Sequence, residues 1–152
     1  MNDDASALRF RSAAADDLET VLDLYRHLHP EDPRPANASA AWSDLITARG
    51  VTVLVGALPS GALVTSCTVV VIPNMTRNAA PYALIENVVT HADHRCRGYG
   101  QAALRAGIRL ANAAGCYKIM LMTGSKREAT LRFYENAGFK RDKTAFTIRR
   151  DV

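Results

Sequence analysis

The 152-residue chain lacks the features that mark several classes of protein. No window of 18 or more consecutive apolar residues occurs, so the sequence predicts no membrane-spanning segment. The first residues lack both a basic stretch and an apolar stretch, so no secretory signal is visible. Repeats and low-complexity segments are also missing, and a composition that is 48% hydrophobic and 22% charged is ordinary for a globular protein. We therefore expect one folded domain over residues 1–152.

Cysteine is scarce, and the few thiols follow no disulfide or zinc-finger pattern. Cys67, Cys96 and Cys116 are odd in number and form no CxxC pair, which favours a reducing, cytoplasmic location. His91 and His94 form an HxxH pair, but no cysteine or third histidine lies at a zinc-finger spacing from them. The sequence therefore predicts no metal site.

Charge is distributed unevenly along the chain. Residues 1–94 carry 6 Lys and Arg against 11 Asp and Glu, whereas residues 95–152 carry 13 against 4. The net charge of +4 thus combines an acidic first part with a basic last part. The basic part would suit nucleic acid, a phosphorylated cofactor or a solvated face. Because no aromatic interleaving or known reader motif accompanies it, we expect no nucleic-acid partner.

Hydrophobic periodicity and turn residues predict an α+β (mixed α/β) order of elements. The predicted strands cover residues 8–11, 51–58, 62–72, 82–90, 118–122 and 145–149. The predicted helices cover about residues 18–28, 40–49, 100–114 and 128–136. The strands on either side of Pro59-Ser60-Gly61 read as an antiparallel hairpin. The crossover from 82–90 to 118–122 predicts one parallel pair within the sheet.

The most informative segment joins the strand 82–90 to the helix that follows it. It contains the run Arg95-Cys96-Arg97-Gly98-Tyr99-Gly100-Gln101. A helix N-terminus exposes N–H groups and a positive dipole end, and glycines let the backbone approach an anion closely. Neither GxxxxGK(S/T) nor GxGxxG is present. The run favours a phosphate or pyrophosphate loop, and a purely structural glycine turn is the alternative.

A second element, FYENAGF, lies at residues 133–139 on the next predicted helix. With both elements in this order, the sequence resembles the GNAT superfamily of acyl-CoA-dependent N-acyltransferases. Its acyl-CoA loop, Q/R-x-x-G-x-G/A, and its later FYxxxGF element are met by Arg95, Gly98, Gly100, Phe133, Tyr134, Gly138 and Phe139. The resemblance implies a single N-acetyltransferase domain that uses acetyl-CoA and no metal. It also implies a twisted, mostly antiparallel sheet with a parallel splayed strand pair and about four flanking helices.

Within the superfamily, residues 85–89 and 115–122 most resemble the glucosamine-6-phosphate N-acetyltransferase group, in which a strand carboxylate stands where Glu86 stands. The chain departs from that group at Asn87 and Met122, where the group usually has acidic residues. The loop before FYENAGF is also longer, and Thr130 stands where the family commonly has Asn. The resemblance thus implies a small-molecule acceptor and a homodimer, but it does not identify the acceptor molecule.

Acetyl transfer by direct attack in a ternary complex needs a base for the amine and an acid for the leaving thiolate. Glu86 is the candidate base, directly or through water, because it is the only acidic residue of the strand region 51–92. The alternation of side chains along the strand does not fix which face Glu86 occupies, so a solvent-facing position is the alternative. His91, Asp93 and His94 are weaker candidates for the base. By resemblance, Tyr134 is the candidate acid, with core packing as the alternative.

The resemblance also assigns backbone positions to acetyl-CoA. The amides near Val88 and Val89 would hold the pantetheine arm and polarise the acetyl carbonyl. The other candidate cofactor-binding residues are Arg95, Cys96, Arg97, Gly98, Tyr99, Gly100, Gln101, Thr130 and Phe133, with Lys126, Arg127 and Arg132 for the remaining phosphate.

The acceptor is expected to lie among the first helix, its proline-rich exit, the hairpin and the loop 73–81. The main candidates for binding the acceptor are Tyr25, His29, Arg77 and Glu86, and further candidates are His27, Trp42, Asn74 and Tyr82. A small amine is the leading hypothesis. A protein or peptide amine, or a non-catalytic acyl-CoA sensor, are the alternatives.

Overall fold

The computed structural model describes residues 7–150, and its contacts divide the chain into two compact units, Met1–Leu121 and Met122–Val152. The first unit holds a five-stranded sheet of β1 (Arg9–Ser12), β2 (Val51–Ala57), β3 (Leu63–Ile72), β4 (Tyr82–Thr90) and β5 (Ile119–Met120). Its helices are α1 (Leu18–Arg26), α2 (Ala38–Thr47), the four-residue α3 (Thr76–Ala79) and α4 (Tyr99–Ala113). The second unit contains α5 (Glu128–Glu135). Within residues 7–150, no helix combines the length and apolar character needed to cross a lipid bilayer.

The sheet is mixed, as predicted. Strands β1 to β4 pair antiparallel in chain order, and β4 pairs with β5 in parallel. The parallel contact is short, because it joins only Ala83 to Ile119 and Leu84 to Met120. Strand β4 continues to Thr90, and among the described residues no strand pairs with this edge beyond Leu84. The predicted splayed pair is therefore confirmed, and it leaves an open edge on β4.

Helix α4 packs very closely on one face of the sheet because it contains a glycine. A Cβ at Gly107 would lie 3.2 Å from side-chain carbons of Ile85 and Val69, and 3.4 Å from the Cys67 sulfur. Cys67 is fully buried, and its thiol donates to the carbonyl of Ala103 at 3.5 Å. This burial raises the pKa of Cys67 to about 12. The close packing fixes where α4 begins, next to the end of β4.

A second apolar cluster lies where α1 and α2 pack against β2. Val21 of α1, Trp42 of α2, and Val53 and Val55 of β2 are its buried members. The Trp42 indole N–H also donates to the carbonyl of Ala14 at 3.1 Å. Packing and this hydrogen bond account for Trp42, which is only 6% exposed.

An ion pair ties β1 to the start of α1. The guanidinium of Arg11 donates to both carboxylate oxygens of Asp17, at 2.6 and 2.9 Å, and the amide of Ala14 donates to the same carboxylate at 2.7 Å. The hydrogen bonds from Arg11 lower the pKa of Asp17 more than burial raises it. The charged form of Asp17 therefore stabilises the fold.

We expect Asp17→Asn to lower the free energy of unfolding by about 1–2 kcal/mol at pH 7, a range that allows for the half-exposed Arg11. Because the pKa of Asp17 is lowered in the folded state, its contribution is complete above the unfolded value and is lost as the pH falls below about 4. Urea denaturation of both proteins at pH 7 and pH 3 measures this. An equal difference at the two pH values would contradict the assignment.

The strand predicted over residues 145–149 is absent, so that prediction was wrong. The segment forms no regular structure, and Phe146 and Ile148 are 92% and 99% exposed. Its alternating pattern suits a half-buried strand, but a strand also needs a backbone partner, and none of the described residues provides one. The strand predicted over 118–122 is likewise shortened to β5, whereas the helix predicted over 128–136 is confirmed as α5.

Candidate functional site

The open edge of β4 carries a β-bulge. Two residues of β4, Asn87 and Val88, lie opposite the single β3 residue Cys67, because the register shifts at this point. Asn87 has a left-handed φ of 51°, a conformation that asparagine tolerates better than most residues. A bulge takes a residue out of the regular ladder of hydrogen bonds. This stretch of β4 can therefore direct backbone groups toward a ligand.

Glu86 lies directly before the bulge, and the structure shows which face of the sheet it occupies. Ile85 faces α4, since its side chain borders Gly107. Because side chains alternate along a strand, Glu86 lies on the opposite face. Helix α1 packs on that face, where it contacts β3 and β4. Glu86 is also the cross-strand partner of Thr68, and the two share that face. The carboxylate is therefore half-buried on the α1 side of the sheet, next to the open edge of β4.

The predicted phosphate loop lies directly before α4. Gly98, the residue before the helix, has a left-handed φ of 79°, and Cys96 has a left-handed φ of 61°. The first helical hydrogen bond runs from the amide of Ala102 to the carbonyl of Gly98 at 2.9 Å. The amides of residues 99–101 thus lie in the first turn of the helix, at the positive end of its dipole. This arrangement suits an anion such as a pyrophosphate.

Two backbone carbonyls hold the side chain of Arg95. Its guanidinium donates to the carbonyl of His27 at 2.9 Å and to the carbonyl of Thr90 at 3.3 Å. Arg95 therefore ties the loop to the ends of α1 and β4, so that it positions the loop. Arg97 is exposed in the same loop.

The histidines of this region pack together. The ring centroids of His27 and His91 lie 4.2 Å apart, those of His91 and His94 lie 5.6 Å apart, and His94 stacks on Tyr99 at 6.2 Å. Burial lowers the pKa of His27, and the neighbouring His91 and Arg95 lower it further. Among the residues that the structure describes, no group of three or more His, Cys, Asp or Glu side chains is arranged to hold a metal.

The FYENAGF element lies in the second unit. Phe133 and Tyr134 are half-buried on α5, with ring centroids 5.0 Å apart. Thr130 lies in the first turn, where its amide donates to the carbonyl of Arg127 at 2.9 Å. Gly138 ends the element with a left-handed φ of 99°. The basic residues of this unit named as phosphate candidates, Lys126, Arg127 and Arg132, are exposed.

The acceptor candidates fall into two groups. Tyr25 reaches from α1 to the face of the sheet that carries Glu86, and it also lines a cavity of about 130 Å³ beside the proline-rich segment. His29 lines the same cavity. Arg77 lies exposed on α3 with a left-handed φ of 55°, and Asn74 holds that turn by donating to the carbonyl of Ala80. Tyr25 is thus the candidate that the structure brings to the bulge of β4.

Two features of this site were not predicted from the sequence. The bulge at Asn87 had one signal, an asparagine inside a strand of apolar residues, where asparagine is unfavourable unless the backbone is irregular. The bond between Arg95 and the carbonyl of His27 had none, because the two residues are 68 positions apart.

Comparison with known proteins agrees with this geometry. The model of the acetyltransferase (GNAT) family matches residues 18–139. A glucosamine 6-phosphate N-acetyltransferase of Trypanosoma brucei brucei is 30% identical over 134 residues, which cover 88% of this chain and 89% of that protein. A solved structure of a putative acetyltransferase from Agrobacterium tumefaciens is 42% identical with a TM-score of 0.89, over 93% of this chain and 99% of that one. A Trypanosoma brucei acetyltransferase structure is 29% identical with a TM-score of 0.78, over 95% and 99%. The chain therefore belongs to the GNAT family and is an acyl-CoA-dependent N-acetyltransferase.

Proposed function

We propose that the protein transfers an acetyl group from acetyl-CoA to the primary amine of a small molecule, by direct attack within a ternary complex. The observation that carries the proposal is the open, bulged edge of β4, which leads through Thr90 and the Arg95 contact to the N-terminus of α4. One continuous stretch of backbone thus offers N–H groups to an extended, phosphorylated co-substrate. GNAT acetyltransferases use acetyl-CoA.

In this proposal the co-substrate lies along residues 86–101. The pyrophosphate binds amides at the start of α4, and the pantetheine arm follows the open edge of β4. The amides near Val88 and Val89 then polarise the acetyl carbonyl. Thr130 and Phe133 of α5, with the exposed basic side chains of that unit, are proposed to bind the rest of the co-substrate.

The chemistry requires two proton transfers. As the amine nitrogen bonds to the acetyl carbon, Glu86 accepts a proton from the nitrogen, and the C–S bond then breaks. Tyr134 donates its phenolic proton to the departing thiolate, and the product is an amide and free CoA. The half-buried carboxylate of Glu86 beside the open edge supports its part. The family resemblance of the FYxxxGF element supports the part of Tyr134.

The acceptor is proposed to be a small amine on the α1 side of the sheet, where Glu86 lies. The similar protein from T. brucei brucei is a glucosamine 6-phosphate N-acetyltransferase, so amino sugars and their phosphates are the first compounds to test. The acidic balance of residues 1–94 suits a cationic amine. A cytoplasmic location and a homodimer are further predictions.

A thiol-release assay tests the proposed function. The protein with acetyl-CoA is offered glucosamine 6-phosphate, glucosamine, amino acids, polyamines, aminophosphonates and lysine peptides. We expect acceptor-dependent release of CoA with at least one small amine. Turnover of lysine peptides alone would show that the acceptor is a protein or peptide amine and not a small molecule. Binding of acetyl-CoA without turnover of any amine would indicate a non-catalytic acyl-CoA sensor.

Gly98→Ala is expected to weaken acetyl-CoA binding by about tenfold. The left-handed φ of 79° at Gly98 costs an alanine about 1–2 kcal/mol, and relaxing it turns the amides of the loop away from the phosphates. Gly61→Ala is the matched control, because Gly61 also has a left-handed φ and a Cβ there meets nothing within 4 Å. Calorimetric titration with acetyl-CoA should separate the two variants, although both lose stability. Equal affinities would contradict the loop assignment.

A further inference from the structure

Three buried hydroxyl groups on the α1 side of the sheet have no hydrogen-bond partner among the described residues. They belong to Tyr25 of α1 and to Ser66 and Thr68 of β3. Ser66 is fully buried, and Thr68 is 5% exposed. In folded proteins a buried hydroxyl almost always has a partner, because leaving one unpaired forfeits its bonds to water. Three such groups in one place are therefore unusual.

The three hydroxyls lie on the face of the sheet that carries Glu86. Ser66 and Thr68 are two residues apart on β3, so their side chains point to the same face, and Thr68 is the cross-strand partner of Glu86. Burial is the largest influence on the pKa of Tyr25 and raises it. The side chains of Thr68 and Asn87 lower it by less, because the Tyr25 hydroxyl points toward them without reaching the geometry of a full hydrogen bond. Tyr25 therefore stays protonated at neutral pH and can donate a hydrogen bond.

The chemistry of these groups defines the partner that suits them. Each hydroxyl can donate one hydrogen bond and accept others, and none of the three carries a charge. A neutral hydroxyl on a ligand matches such groups, whereas an ammonium group is matched by the carboxylate of Glu86. Tyr25 also lines the cavity of about 130 Å³ next to the proline-rich segment, so this residue contacts both the sheet and that cavity.

We propose that Tyr25, Ser66 and Thr68 form a subsite that hydrogen-bonds a hydroxyl group carried by the acceptor close to its reacting amine. The proposal rests on the proposed acetyltransferase function and narrows its acceptor to a hydroxylated primary amine. In this proposal the bound acceptor supplies the hydrogen bonds that the three hydroxyls lack in the free protein. Tyr25 is the residue that distinguishes a hydroxylated amine from a plain alkylamine.

Paired acceptors test this subsite. Steady-state kinetics compare trans-2-aminocyclohexanol with cyclohexylamine, which lacks only the hydroxyl, for the wild type, Tyr25→Phe and Thr68→Val. The wild type should prefer the amino alcohol, and each variant should lose about tenfold or more of kcat/KM for it with little change for cyclohexylamine. The melting temperature should stay the same or rise in both variants, because each removes a buried hydroxyl that is unpaired in the free protein.

Tyr117→Phe, which removes an exposed phenol, is the control and should leave both acceptors unaffected. Equal losses for the two acceptors, or a fall in melting temperature, would assign the hydroxyls to structure and overturn the subsite. Losses for neither acceptor would overturn it as well. Should the wild type turn over no amine, calorimetric binding of the same two compounds to the acetyl-CoA complex decides the subsite separately, and equal affinities there would overturn it.

Discussion

Replacing Tyr134 with Phe is expected to lower kcat by about 100-fold or more while the KM for acetyl-CoA changes little. Proton donation by a positioned group contributes about 10²–10⁴-fold to such reactions. A phenol carries an O–H donor and can supply the proton that the thiolate of CoA takes up as it leaves. Phenylalanine keeps the ring on α5 and its contact with Phe133, while it removes the proposed proton donor.

Single-turnover and steady-state rates with the best acceptor of the panel measure this effect, and calorimetric titration checks that acetyl-CoA still binds. Tyr117→Phe is again the control, because Tyr117 is an exposed tyrosine that precedes β5. A loss confined to acetyl-CoA affinity would assign Tyr134 to packing around the co-substrate. An unchanged kcat would remove it from the proton transfer altogether.

The parts of the site that sequence predicts well are local ones. Gly138 adopts the left-handed backbone expected at the end of a helix, and Gly98 adopts a left-handed backbone directly before one. Each lies within the motif that it serves. The short-range spacing of α4 and α5 follows from periodicity in the same way. For this reason the phosphate loop and the FYENAGF element could be placed on their helices from the sequence alone.

The parts that sequence could not predict depend on distant partners. The face of Glu86 is fixed by its pairing with Thr68 and by the packing of Ile85 on α4. When a strand carries apolar residues on both faces, the sequence pattern does not show which face a given residue occupies. The face of Glu86 was therefore undecided from the sequence. The segment 145–149 shows a different limit of the sequence pattern. Its alternating side chains predict a strand, but they do not show whether a neighbouring strand is present to pair with it.

In the proposed mechanism, the position of Glu86 decides where the acceptor amine must bind. The carboxylate and the hydroxyl of Thr68 share the α1 face, whereas Asn87 and Val88 carry the bulge at the edge. An amine held by Glu86 would thus lie beside an acetyl group held at that edge. This proximity is the main source of rate acceleration to expect, because alignment of two reactants can lower a barrier by about 7–11 kcal/mol.

Glu86→Gln is expected to lower kcat by about 100-fold and to change the shape of the pH–rate profile. Glutamine has nearly the same size and still pairs with Thr68 across the strands, but it cannot accept the proton of the amine. In the wild type, the rate should fall as the pH is lowered, because a general base and an attacking amine must both be unprotonated to act. In the variant, only the titration of the amine should remain, so the acid limb should become less steep.

Asp93→Asn separates Glu86 from the nearest alternative base. Asp93 follows β4, its side chain is 86% exposed, and it lies 3.9 Å from the Nδ1 atom of His91. We expect this variant to keep both the wild-type kcat and the wild-type pH profile, because an exposed carboxylate beyond the end of β4 takes no part in the transfer. An altered profile in Asp93→Asn together with an unaltered one in Glu86→Gln would move the base from the strand to the loop. The acceptor amine would then have to approach from beyond the end of β4, away from the hydroxyls of β3.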